Sequence, residues 1–311
     1  MRASGYSGVA HPGIDPQFPQ ERRWATNGIM TSQLTATHGH IVAIGGAEDR
    51  TSDLEILKQV FLLAPEGDHE VAVIATASSI PDQVLPDYVA AFTRLGASRV
   101  HGLNIQDRKQ AADPGNVGLI ERSGVIFFTG GDQLRLTNVL GGSATLKAIR
   151  ERLQVGAVVA GTSAGAAAMP GTMIYDGSAA DALRKGAVNM TSGLGFVDGL
   201  IIDSHFLERG RFTRLMEVGA SNPEHLGVGL GEDAAVIVHP NRILEAIGSG
   251  HVILIDCRDL ASSNITELSM GEAVAIENMI MHALIRGHGF DVEARRYLSP
   301  DELTACIADA V

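Results

Sequence analysis

Short runs of almost continuous apolar residues constrain the fold of this chain more than any other feature. Four of them occur between residues 41 and 160, and segments with apolar residues three or four positions apart separate them. The runs cover residues 41–44, 71–75, 124–129 and 157–160, and residues 100–105 are a further candidate strand. Because strands that are apolar along their whole length must be covered on both faces, we predict an α/β fold with a parallel central sheet between layers of helices.

Helical spacing marks the segments between these strands. Ser52 and Glu55 have the spacing of a capping box, which predicts a helix from this point to Pro65. Apolar spacing predicts further helices at residues 88–95 and 134–140. The shorter apolar segments after Asp233 predict strands at 235–238, 243–247 and 251–255, which we expect to extend the same sheet with antiparallel strands.

The first 36 residues differ from the rest of the chain. They contain Pro12, Pro16 and Pro19 among glycine and polar residues, and they show neither a helical nor a strand period. We therefore predict a flexible N-terminal arm over residues 1–36 and a single α/β domain, expected to be catalytic, over residues 37–311.

Composition argues against several classes of partner. A formal net charge of -12 without a basic stripe argues against nucleic acid and against an anionic membrane surface. The two cysteines, Cys257 and Cys306, provide neither a disulfide framework nor a C-x-x-C motif, and we expect no metal or other cofactor. The chain contains no apolar run of about 18 residues, and its first thirty residues lack the apolar core of a signal peptide, so we expect a cytoplasmic protein.

The pentapeptide at residues 161–165 has the pattern G-x-S-x-G and follows the apolar run 157–160. A strand, a very tight turn and a helix start are the setting of a nucleophile elbow, in which the serine hydroxyl projects from the end of the sheet. Ser163 is therefore the candidate nucleophile, and the N–H of Ala164 is a candidate oxyanion donor. A glycine- and serine-rich turn that merely caps a helix has the same local pattern.

A serine nucleophile needs a general base and an acid that orients it. Among the histidines, His205 follows the apolar segment 200–202 and is therefore expected at the end of a strand, on the catalytic edge. Two carboxylates could orient it. Asp203 is close in sequence, whereas Glu232 ends a glycine-rich segment and precedes an apolar strand, and we favour Glu232.

Three arginines, Arg209, Arg211 and Arg214, follow His205 directly. Arg211 and Arg214 are three residues apart and are expected on one helical face, with Arg209 in the preceding loop or first turn. Planar guanidinium groups bind carboxylates through two hydrogen bonds, so the set suggests recognition of an acidic substrate. A solvated helix face with local ion pairs is the alternative.

Taken together, these motifs resemble the cyanophycinases, a serine peptidase family related to the aspartyl dipeptidase peptidase E. The resemblance spans residues 40–298 and rests on five motifs in order: 130–133, 161–167, 203–206, the spaced arginines and 229–232. It implies a three-layer α/β sandwich related to class I glutaminase domains, which are flavodoxin-like, and a homodimer.

The resemblance also implies roles for individual residues. Ser163 would be the nucleophile, His205 its base and Glu232 the orienting acid, with Ala164 and Gly131 as oxyanion donors. The residues that would bind substrate are Gln133, Asp203, Ser204, Arg209, Arg211, Arg214 and Asp233. The implied substrate is cyanophycin, a polyaspartate that carries arginine in amide linkage on its side chains, and the implied product is the β-Asp-Arg dipeptide, released by an exopeptidase through an acyl-enzyme.

Two positions depart from the family pattern. Typical cyanophycinases read Asp-Gln-His-Phe and Glu-Asn, where this chain has Ser204 before His205 and Asp233 after Glu232. These differences bear on side-chain specificity, so an α-aspartyl dipeptidase acting on short aspartyl peptides is an alternative. An inactive binding homologue and an esterase with its acid between serine and histidine are further alternatives.

Overall fold

The computed structural model describes residues 38–308. The N-terminal arm predicted for residues 1–36 lies outside the described residues. The first part of the described chain alternates strands and helices in this order: β1 (Ile41–Ile44), α1 (Glu55–Leu62), β2 (Glu70–Ile74), α2 (Pro81–Arg94), β3 (Arg99–Leu103), a 3₁₀ turn (Gln110–Ala112), α3 (Pro114–Arg122), β4 (Val125–Phe128), α4 (Gln133–Leu140), α5 (Ala144–Gln154), β5 (Val158–Thr162) and α6 (Ala164–Ala167).

The later part of the chain is richer in strands. Its elements are β6 (Thr172–Asp176), β7 (Asn189–Ser192), β8 (Leu200–Asp203), α7 (Phe212–Ser221), β9 (Leu226–Leu230), β10 (Ala234–Val238), β11 (Ile243–Gly248), β12 (Val252–Asp256), β13 (Ser262–Ser263), β14 (Ile276–Glu277), β15 (Ile280–Leu284), β16 (Gly289–Asp291), β17 (Arg296–Leu298) and α8 (Pro300–Ala308). In the described range, no helix is both long and apolar enough to cross a bilayer.

A nine-stranded sheet in the order β17-β16-β11-β10-β1-β5-β4-β2-β3 forms the centre of the fold. Neighbouring strands in the half of the sheet with the order β1-β5-β4-β2-β3 are parallel. The other half, formed by β10, β11, β16 and β17, extends the sheet with antiparallel pairs. Alternate residues of β1 belong to different buried clusters: Ile41 and Ala43 to one, Val42 and Ile44 to the other. The sheet is therefore covered on both faces, which confirms the predicted α/β class.

The expectation that the strand predicted at 251–255 extends this sheet is wrong. It corresponds to β12, which pairs with β9 and β15 in a separate four-stranded sheet of order β15-β12-β9-β8. The glycines of β9 explain the packing of this sheet. A Cβ on Gly227 would lie 2.9 Å from the Leu215 side chain and one on Gly229 would lie 2.5 Å from the Phe206 ring, so two bulky side chains fill the space above the bare backbone.

The capping box predicted at Ser52 and Glu55 is also wrong. Helix α1 begins at Glu55 with Leu54 in a left-handed conformation at its N-cap and no side-chain cap. Instead, the Asp49 carboxylate accepts hydrogen bonds from the backbone N–H groups of residues 51–54. These bonds hold the pKa of Asp49 well below its usual range. The Asp49 turn forms in place of the capping box because one carboxylate accepts hydrogen bonds from several N–H groups at once.

Candidate active site

The turn that carries Ser163 has the geometry of a nucleophile elbow. Strand β5 ends at Thr162, helix α6 begins at Ala164, and Ser163 between them has φ 53° and ψ -110°, a strained conformation for a residue with a side chain. Its N–H donates to the Ile44 carbonyl of β1 at 2.9 Å. A Cβ on Gly165 would lie 2.6 Å from the Phe128 carbonyl oxygen, so only glycine permits this close approach of helix and sheet.

His205 follows strand β8 and reaches Ser163 from the second sheet. Its Nε2 lies 3.0 Å from Ser163 Oγ, and its Nδ1 lies 2.7 Å from Glu232 Oε1. The backbone N–H of His205 donates to the Gly45 carbonyl at 2.9 Å, which ties the end of β8 to the end of β1. The three side chains therefore form one hydrogen-bonded series at the junction of the two sheets.

Glu232 is the carboxylate in contact with the imidazole, although the sequence left Asp203 open as well. It lies in the short connection between β9 of the second sheet and β10 of the large sheet, which carries it to the same junction. The next residue, Asp233, has φ 48° and accepts a hydrogen bond of 2.5 Å from the Ser249 hydroxyl. The N–H of Asp233 donates to the Gly46 carbonyl, which fixes this connection against the end of β1.

The Asp203 carboxylate forms ion pairs with two of the arginines, Arg211 and Arg214. Arg214 donates to both of its oxygens, through Nε at 2.9 Å and Nη2 at 2.8 Å, and Arg211 donates at 2.9 Å. Asp203 is 1% exposed and Arg214 5% exposed, so this ion pair is buried. Arg214 also donates to the Gly177 carbonyl, and Arg211 to the Ser204 carbonyl. Burial lowers the pKa of Arg211, and the Asp203 carboxylate opposes that effect.

The remaining predicted binding residues have different surroundings. Arg209 is exposed at the turn before α7, whereas Ser204 is buried and donates its N–H to Asp203. The amide nitrogen of Gln133 donates to the carbonyls of Ile174 and Tyr175, at 3.1 Å and 3.3 Å. Gln133 therefore ties the start of α4 to β6. Hydrogen bonds thus join Asp203, Ser204, Arg211 and Arg214 into one cluster, and neither Arg209 nor Gln133 forms a hydrogen bond or ion pair with these four residues.

The candidate oxyanion donors are the backbone N–H groups of Ala164 and Gly131. Ala164 provides the N–H at the start of α6, and in the described chain this group has no hydrogen-bond partner. A Cβ on Gly130 would lie 3.4 Å from Ser163 Cβ, so the 130–131 turn faces the serine closely. Gly131 has φ 143°, and a Cβ there would overlap the Ala77 carbonyl oxygen at 2.0 Å. The turn is therefore held against the loop that follows β2.

Sequence reasoning missed a pocket of about 330 Å³ that opens beside Ser163 and His205. Its wall includes the buried Glu48, whose carboxylate accepts hydrogen bonds from the hydroxyls of Tyr88 at 2.5 Å and Thr162 at 2.6 Å. The signal was the position of Glu48 four residues after the end of the predicted strand 41–44, at the edge where the candidate site was expected. His, Cys, Asp and Glu side chains within residues 38–308 form no group of three that could hold a metal ion.

Comparison with known proteins identifies the family. The model of peptidase family S51 matches residues 41–245. This chain belongs to peptidase family S51. Curated relatives of this S51 peptidase are the cyanophycinases of Geminocystis herdmanii, 36% identical over 80% of this chain and 91% of the relative, and of Nostoc sp., 34% identical over 87% and 90%. The cyanophycinase of Synechococcus elongatus is 32% identical over 86% of this chain and 83% of the relative.

A solved structure supports the fold independently of these sequences. The peptidase from an acI-B1 Actinobacterium superposes on this S51 peptidase with a TM-score of 0.63 and covers 83% of this chain and 98% of its own. Its sequence identity is 18%, so the similarity concerns the fold alone. The family assignment makes this chain a peptidase, which agrees with the resemblance that its motifs carry.

Proposed function

We propose that this peptidase is a serine exopeptidase that hydrolyses the polyaspartate backbone of cyanophycin and releases β-Asp-Arg dipeptides. The observation that carries the proposal is the continuous hydrogen-bonded series from Ser163 Oγ through His205 to Glu232, at 3.0 Å and 2.7 Å. The name that the curated relatives share, cyanophycinase, supports the choice of substrate.

The proposed chemistry begins with attack of Ser163 Oγ on the scissile carbonyl carbon. His205 Nε2 accepts the hydroxyl proton as the new C–O bond forms, and Glu232 stabilises the imidazolium through Nδ1. The carbonyl oxygen becomes an oxyanion that the N–H groups of Ala164 and of Gly131 stabilise. The imidazolium then returns its proton to the leaving backbone nitrogen, the C–N bond breaks, and an acyl-enzyme remains.

Water completes the cycle. His205 accepts a proton from the water molecule as its oxygen attacks the acyl carbon, and the collapse of the second tetrahedral intermediate returns that proton to Ser163 Oγ. The acyl group leaves as a carboxylic acid. The same imidazole thus serves both halves of the reaction, which requires that Glu232 keep the ring oriented throughout.

We propose two different roles for the residues after His205. Each arginyl branch of cyanophycin ends in a free carboxylate, which a guanidinium group can bind through two hydrogen bonds. Arg209 and Arg211 would bind such carboxylates directly. Asp203 and Arg214 would act as positioning residues, because their charges are already paired inside the protein and orient Arg211.

One incubation tests the proposal. Purified protein is mixed with insoluble cyanophycin, and the soluble products are identified by mass spectrometry. We expect the mass of β-Asp-Arg from the native protein and none from Ser163→Ala. Cleavage of free α-aspartyl dipeptides without release from cyanophycin would support the dipeptidase alternative. Failure of a serine-directed covalent probe to label Ser163 would support an inactive homologue.

We further propose that the enzyme acts in the cytoplasm as a homodimer. The two cysteines, one of them buried, are both unpaired, which suits a reducing compartment. Light scattering during size-exclusion chromatography gives the mass of the particle, and fractionation of the source cells gives its compartment. A monomer mass or recovery outside the cytoplasmic fraction would contradict the respective part of the proposal.

A further inference from the structure

The pocket beside Ser163 contains a buried carboxylate that the chemistry above does not use. Glu48 is 5% exposed, and no Lys, Arg or His among the described residues forms an ion pair with it. Its two hydrogen-bond donors, Tyr88 and Thr162, are neutral hydroxyls. Because burial of a carboxylate without a cation is costly, this arrangement favours a ligand that brings a positive charge.

Both donors hold the carboxylate in a fixed position. Burial, followed by the nearby Glu48 charge, raises the pKa of Tyr88 well above its usual value, so the phenol stays protonated and donates. Thr162 precedes the nucleophile directly, which sets Glu48 close to the reacting serine. A carboxylate has about four lone-pair sites, and the two hydroxyls occupy two, so acceptor capacity remains for a guanidinium group.

The rest of the pocket suits the methylene chain and the free carboxylate of an arginyl branch. Ile80 and Val84 provide apolar surface on its wall, against which a methylene chain can pack. Arg50 lines the more exposed part, with its guanidinium carbon 5.4 Å from the centre of the Tyr88 ring. Its ion pair with Asp87 at 3.3 Å is exposed and therefore weak, which leaves Arg50 able to bind a carboxylate.

We propose that this pocket is a specificity subsite for the arginyl branch of one of the two aspartyl residues joined by the scissile bond. Glu48 binds the guanidinium group at the buried end, and Arg50 binds the free carboxylate at the exposed end. The inference rests on the proposed function, since it assigns a place to a part of that substrate. It identifies Glu48 as a residue that selects arginine over a neutral branch of the same shape.

A substrate pair separates recognition of the cation from a purely structural role. Short synthetic β-Asp-Arg oligomers are compared with oligomers in which citrulline, whose ureido group is neutral, replaces arginine. We measure kcat/KM for both with the native enzyme, with Glu48→Gln and with Asp53→Asn, which removes an exposed carboxylate of the same loop. We expect the native enzyme and Asp53→Asn to prefer arginine by about 10- to 100-fold, the range for a hydrogen bond to a charged group. In Glu48→Gln the ratio should fall towards one.

The outcomes are distinct. Equal slowing of both oligomers by Glu48→Gln, with the ratio unchanged, means that Glu48 only supports Thr162 and overturns the subsite while leaving the proposed function intact. Failure of the native enzyme to cleave either oligomer overturns both. If Glu48→Gln does not fold, a crystal structure of Ser163→Ala with the arginine oligomer decides the matter: a guanidinium group within hydrogen-bond distance of Glu48 supports the subsite, and one elsewhere overturns it.

Discussion

The imidazole of His205 lies directly against the α-carbon of Gly46. A Cβ added to Gly46 would lie 2.3 Å from His205 Cε1 and 2.6 Å from Nε2, the nitrogen that faces Ser163. Gly46 also has φ 113°, a backbone conformation that favours glycine. The loop after β1 thus leaves room for the His205 ring because Gly46 has no side chain.

Gly46→Ala is therefore expected to displace the ring. A misplacement of about 1 Å at a reacting group can reduce the rate about 100-fold, so we expect at least that loss in kcat/KM. Gly96→Ala is the matched control, because Gly96 has φ 99° and no atom within 4 Å of the added Cβ. Both substitutions strain the backbone, and urea unfolding measures the loss of stability that results. Gly96→Ala should nevertheless retain activity. Equal activity of the two would contradict the placement of His205.

Glu232→Gln should lower kcat by about 10² to 10⁴, because an amide neither stabilises the imidazolium nor fixes its tautomer in the same way. The neighbouring Asp233→Asn serves as control. Asp233 accepts a hydrogen bond from the Ser249 hydroxyl, and its side chain has no hydrogen bond to His205, so kcat of Asp233→Asn should stay within about threefold. The substrate-binding role that the family resemblance implies for Asp233 should change KM instead. Steady-state kinetics on cyanophycin provide the measurement, and a larger effect at Asp233 than at Glu232 would reverse the assignment.

Asp203→Asn should destabilise the protein as well as weaken substrate binding. It leaves the charge of the buried Arg214 without its partner, for which a loss of about 3–5 kcal/mol in the free energy of unfolding is typical. Glu151→Gln removes an exposed i,i+4 pair with Lys147 and should change that free energy by less than about 0.5 kcal/mol. Chemical denaturation at pH 7 compares them, and similar effects would indicate that the Asp203 pair contributes little.

His40 should make the stability of the protein depend on pH. Burial, aided by the nearby His239, lowers the pKa of His40 from 6.5 to about 4. The unfolded chain therefore takes up a proton first as pH falls, so stability is unaffected above the unfolded pKa and is lost between pH 6.5 and 4. His40→Gln should reduce this loss, whereas the control His38→Gln, at an exposed position, should not. Urea unfolding at pH 7.5 and 4.5 measures the difference, and identical pH dependence in all three proteins would contradict it.

The positions of the main strands and the tight turn at Ser163 could be predicted because they depend on residues that are neighbours in the sequence. Strand β1 has the predicted bounds, and the elbow follows β5 as its glycines indicate. The contact between Ser163 and His205 joins residues 42 positions apart, and that between His205 and Glu232 joins residues 27 apart. Each was expected from the rule that strand ends meet at one edge and from the family resemblance.

The arginine cluster illustrates what local patterns leave open. The sequence places Arg211 and Arg214 near one another but does not show that Asp203 is buried with them. Their proposed roles differ because of how each guanidinium group is bonded in the folded protein. Arg214 uses Nε, Nη1 and Nη2 for internal hydrogen bonds, whereas Arg211 donates through Nη1 alone and keeps its other N–H groups for substrate.

Local patterns in the sequence were sufficient to predict the α/β class and the tight turn at Ser163, since burial periodicity and turn chemistry act over a few positions. Long-range packing set the rest: β8, β9, β12 and β15 form a second sheet, and Glu48 accepts a hydrogen bond from Thr162, 114 positions away. The physical reason is that strand pairing and burial depend on which surfaces fit together. Leu215 and Phe206 pack against two glycines of β9, and this packing cannot be predicted from a short segment of sequence.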